Sequence, residues 1–100
     1  MDFFWQKIPA RPLRIISDDI KAVSGTAVTL ASIQPTKNCL LVHITNGANP
    51  VRYAVTGPPT ATEGHLLDAN TDLYLNESQL QTVSFIAVGA ASTMYVSFYD

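Results

Sequence analysis

Hydrophobic and polar residues alternate in short runs along most of this chain. In "CLLVHIT", Leu40, Val42 and Ile44 fall on one side and Leu41, His43 and Thr45 on the other. In "VRYAV", Val51, Tyr53 and Val55 oppose Arg52 and Ala54, and "DLYL" sets Leu73 and Leu75 against Tyr74. "AVTLASI" has Val28 and Leu30 on one side, and "TVSFIAV" forms a further strand. "TMYVSFY" sets Met94, Val96 and Phe98 against Tyr95, Ser97 and Tyr99. A period of two marks strands that bury one face. Strands recur about every ten residues with turn residues between them, which predicts an all-β fold, a small antiparallel β-sandwich. Jelly-roll-like and immunoglobulin-like topologies are indistinguishable at this level. Asn46-Gly47 reads as a hairpin signal, and "GAAS" joins the last two strands. "DIKAV" and "NESQLQ" each have room for one helical turn.

The first residues break the pattern. "DFFWQKIPARPLR" holds three adjacent aromatics and two prolines with no periodicity. Pro9 and Pro12 exclude a helix and favour extended geometry. Residues 1–16 are therefore expected to form an extended N-terminal arm, and residues 17–100 a single β-sandwich domain. Phe3, Phe4, Trp5, Arg11 and Arg14 are the candidate partner-binding residues, since aromatics and arginine are the common anchors of protein contacts. The competing role for the aromatics is to fold back over the domain's own core.

Composition sharpens this picture. One hundred residues make one domain. The chain is 47% hydrophobic and only 14% charged, where about 25% charged is usual. Such a surface is covered by neutral polar residues and by contact with another subunit. The net charge is −2 and the only basic cluster is Lys7, Arg11 and Arg14, so phosphate-driven nucleic-acid binding is not expected. No apolar run of membrane-spanning length occurs. The N-terminal stretch lacks signal-peptide order, so use without secretion is expected, and "NES" carries no glycosylation meaning in that setting.

Candidate chemistry is sparse. Cys39 is single and sits in a strand-like run, where cysteine acts as a small apolar residue. His43 lies mid-strand, and His65 has no second ligand at zinc spacing. "DANTD" starts like an EF-hand loop, but Leu73 stands where glycine is needed and Gln79 where the closing glutamate belongs, so it reads as a polar turn. No nucleophile elbow or phosphate loop is present. No catalytic residue, metal or cofactor is expected, and the chain is not expected to be an enzyme. The loop in "VRYAVTGPPTATEGHLL" reads as a corner: Gly57 and Gly64 turn the chain, Pro58 and Pro59 stiffen it, and threonines bond local backbone.

That stretch, followed by "DLYL" and by "VSFIAVGAASTMYVSFY", resembles small structural proteins of tailed bacteriophages, with a "VRYT-dG-xPTA-x-G" segment and an "FI-x-x-xA-x-x-x-L-x-V-x-Y" ending. The likeness covers residues 51–99, about half of the chain, and departs where Thr56 replaces the acidic residue before the glycine. A shorter piece, "Y-x-x-x-G-x-x-PT", is also similar to the C-terminal sandwich modules of chitobiase-like enzymes. The phage resemblance implies a virion component made in the host bacterial cytoplasm: a capsid decoration or cement protein, or a head or tail accessory. Its expected partners are the major capsid protein or another virion protein and further copies of itself, as a closed ring such as a homotrimer. The alternative is a carbohydrate- or receptor-binding module of a tail or fibre, displaying Tyr53, Tyr74, Tyr95 and Tyr99.

Overall fold

A computed structural model describes residues 14–35 and 39–100; Phe3, Phe4, Trp5 and Arg11 lie outside the described residues. Eight strands follow in chain order: β1 (Ile15–Val23), β2 (Val28–Thr29), β3 (Leu41–Thr45), β4 (Val51–Ala54), β5 (His65–Leu67), β6 (Asp72–Asn76), β7 (Ser84–Ala87) and β8 (Ser92–Tyr99). A 3-10 turn, Ala31–Ile33, follows β2, and one helical turn, α1 (Glu77–Leu80), follows β6. "NESQLQ" does hold that turn, closed by a reciprocal cap between Asn76 and Gln79.

The strands form two four-stranded sheets, in the orders β1-β8-β3-β6 and β2-β7-β4-β5. β1 pairs with β8, β2 with β7, β3 with β6 and β4 with β5, all antiparallel. The chain is therefore folded back on itself at the β4–β5 loop, and the resulting four-rung ribbon is rolled into two sheets. This is the arrangement of a double-sheet jelly roll, and it resolves the choice that the sequence leaves open.

The roll corrects two local expectations. "DIKAV" is the second half of β1 rather than a helical turn: Asp19 to Val23 pair in register with Val96 to Ser92, and Val23 is fully buried. A single turn has no such partner, and an isolated helix this short is unstable. Asn46-Gly47 closes no hairpin, because β3 and β4 lie in different sheets. Gly47 is needed for close approach instead, since a Cβ there would run into the Thr93 carbonyl oxygen. "AVTLASI" keeps only two strand residues before turning over at Ala31.

Core residues come from alternate positions. Val42 and Ile44, Leu75, and Met94, Val96 and Phe98 are buried from the first sheet; Val51, Leu67, Phe85 and Ala87 are buried from the second. Leu40 departs from the pattern, lying just before β3 and 55% exposed. Ile15 and Ile16 belong to β1, and Ile16 packs against the core.

Asn46, 1% exposed, locks one end of the roll. Its amide donates to the carbonyls of Asn49 (2.9 Å), Leu67 (3.1 Å) and Asp68 (3.1 Å). Its side-chain oxygen accepts from the Gly47 N–H and the Ser92 hydroxyl, both at 2.9 Å. Asn46→Asp turns the donor into an acceptor facing three carbonyls, and should cost about 2–4 kcal/mol of unfolding free energy in urea melts. Asn49→Ala, which removes one exposed amide bond to Ala91, should cost about 1 kcal/mol or less.

Candidate docking face

The first sheet turns one side to the core and the other outward. The outward side carries cross-strand rows, two of them at its middle. Ile20, Tyr95, Thr45 and Asp72 form one; Asp18, Ser97, His43 and Tyr74 form the next. Ile20, Tyr74 and Tyr95 are 56%, 58% and 57% exposed, and Ile15 stands exposed across from Tyr99. The second sheet has a single comparable residue among those described, Leu66. Large exposed hydrophobics thus collect on one face. A shallow depression of about 450 Å³ opens beside Ile20 and Tyr95, lined also by Asp18, Asp19, Val96 and Ser97.

Polar contacts hold this surface in shape. The Ser97 hydroxyl donates to Asp18 Oδ1 at 2.6 Å, and the Thr45 hydroxyl to Asp72 Oδ1 at 3.0 Å. The His43 and Tyr74 rings stack with centroids 4.6 Å apart and planes 11° from parallel. His43 Nε2 lies 3.6 Å from Asp72 Oδ2, close enough for an ion pair but long for a hydrogen bond. It is the one buried side-chain polar atom among the described residues without a hydrogen bond. By register the described outward positions of this sheet include Asp18 and Asp72 but no lysine or arginine. Lys21 alternates to the other side and donates to the Ser32 hydroxyl at 2.9 Å.

Of the sequence-predicted anchors, only Arg14 is described. It is exposed, and its backbone exchanges two bonds with Asp100, extending the β1–β8 ladder by one pair. Of the four tyrosines, Tyr74, Tyr95 and Tyr99 lie on the outward side of the first sheet. Tyr53 packs on the core beside Phe85 and His65. Sequence reasoning missed Ile20 and Asp18, because β1 was not legible as a strand.

The β4–β5 loop is the corner that its residues suggest. Gly57 and Gly64 have φ of 77° and 125°, Pro59 is buried, and Thr60 and Glu63 exchange backbone bonds. Arg52 clamps the loop by donating to the carbonyls of Ala61 (3.1 Å) and Gly64 (2.9 Å). His65 is exposed, with its ring 5.2 Å from that of Tyr53. "DANTD" is a turn with Asn70 at φ 60°, held by the Thr71 hydroxyl on the Asp68 carbonyl. No group of three or more His, Cys, Asp and Glu side chains suited to a metal occurs among the described residues.

No family model matches the chain, and no curated protein or solved structure matches it either.

Cys39 is buried at 3% exposure. Burial, and then the negative charge of Glu77, push its thiol above the ordinary value of 9.0. The unfolded chain releases this proton first, so the folded state loses stability as pH rises from 9.0 toward the raised value. Unfolding free energies of the wild type and Cys39→Ala, compared across pH 7 to 10.5, should diverge above pH 9.0, with the wild type falling more steeply.

Proposed function

We propose that this chain is a non-enzymatic structural protein of a phage virion: a capsid decoration or cement protein that stabilises the shell by binding across its subunits as a closed homo-oligomer, a trimer. The observation that carries this reading is the outward side of the first sheet, where Ile20, Tyr74 and Tyr95 are held open to solvent on a stiff sheet. Apolar surface of this kind favours association, at about 20–33 cal/mol per Å² before ordering costs are subtracted. Repetition around a symmetric shell turns weak single contacts into lasting occupancy. The double-sheet roll is an architecture of viral capsid domains, and also of lectins. Fold alone therefore does not choose between them.

A sugar-binding module would use the same tyrosines as flat platforms. Tyr74, however, already has one ring face against His43, and the Asp18 and Asp72 carboxylates each accept a bond from a neighbouring hydroxyl. A face with these groups already engaged suits contact with protein better than capture of a glycan.

Co-sedimentation with capsid shells of the phage that carries this chain tests the role. The wild type should pellet with shells and raise their heat-disruption temperature. The Ile20→Ser/Tyr95→Ser variant should stay in the supernatant while its far-ultraviolet spectrum remains that of the wild type. A wild-type chain that stays in the supernatant would overturn the shell-binding role, and a variant that still pellets would overturn the part given to this face in holding the assembly together.

A further inference from the structure

We propose that the outward side of the first sheet receives residues 1–13 of a second copy of this chain. The inference rests on the assembly role proposed above and names what one copy gives the next. Three observations converge on it.

The first is charge. The described outward positions of this sheet carry Asp18 and Asp72 and no cation. Residues 1–13 carry Lys7 and Arg11 against a single acid, Asp2. Opposite charges facing each other set register and suppress wrong partners.

The second is chemistry and reach. The depression beside Ile20 and Tyr95 is lined by these apolar side chains together with Asp18 and Asp19. The segment offers Phe3, Phe4 and Trp5, followed by cations at positions 7 and 11. Thirteen extended residues reach about 43 Å, while four strands at about 4.8 Å spacing make a sheet roughly 15–19 Å wide. The segment is long enough to cross the whole face. Pro9 and Pro12 lack the N–H needed to extend a ladder, so contact by side chains laid over the sheet is the mode this sequence favours.

The third is direction. Arg14 and Asp100 extend the β1–β8 pairing, and β1 then runs toward Ile20. Followed backward, the chain at Arg14 points away from Ile20 and Tyr95. To reach its own copy's face beside Ile20, the chain before Arg14 would have to reverse direction.

Trp5 is the single tryptophan of the chain, so its fluorescence reports on this segment in the full-length protein. Emission and light-scattering mass are followed together on dilution. The expected result is a multimer with blue-shifted Trp5 emission that reddens as the mass falls to one copy. Arg11→Glu and Asp18→Lys should each weaken association by about tenfold, and the charge-swapped double variant should recover most of the loss. Blue-shifted emission in a monomer would place the segment on its own chain and overturn the inference. So would Trp5 emission that does not change when a multimer dissociates, or a multimer indifferent to both charge reversals. Shell co-sedimentation is read separately: a chain that pellets with shells while Trp5 stays solvent-exposed keeps the assembly role and loses this contact.

Discussion

Asn46 is the point on which the rolled ribbon depends. Only β4 and β5 are consecutive strands paired in one sheet; the other connections pass between sheets. Passing between layers strands backbone carbonyls at the end of the sandwich, where no ladder can use them. The Asn46 amide takes three of these carbonyls, and its oxygen takes a backbone N–H and a hydroxyl. One buried side chain thereby joins the end of β3, the end of β5 and the start of β8. A buried polar group in this number of bonds stabilises only when all are made, so the hub also selects this topology over a plain hairpin at Asn46-Gly47.

With that end locked, the two sheets diverge in character. The second sheet has short edges, β2 and β5, and the clamped 55–64 loop beside it. The first sheet has a long edge, β1, defended by Asp18, Asp19 and a register shift between Ile15 and Ser17. Its outward side keeps large residues in solvent. A frame with one face of exposed large residues suits the assembly role proposed above.

Much of this was legible in the sequence. Strict alternation in "LVHIT", "DLYL" and "TMYVSFY" gave the inward and outward sets correctly, because strands that bury one face must repeat every second residue; it failed at Leu40, which precedes β3 and is exposed while Cys39 is buried. The corner at residues 55–64 was legible from Gly57, the proline pair and Gly64. β1 was not: "IISDDIKAV" lacks alternation, since an edge strand must place charges where a central strand would place apolar residues. Pairing order was equally hidden. Asn46-Gly47 carries the same signature whether it turns a hairpin or crosses between sheets, and the deciding contacts come from Leu67 and Ser92, far along the chain. The docking face follows from that order, so Tyr74 and Tyr95 were visible only as residues on the non-core side of separate strands.

The most direct measurement is oxidative footprinting of the side chains, comparing the dilute free chain with the chain bound in its assembly. Tyr74, Tyr95 and Ile20 should become shielded together while Leu66 on the second sheet keeps its reactivity. Shielding of Leu66 with Tyr74 and Tyr95 unchanged would contradict this.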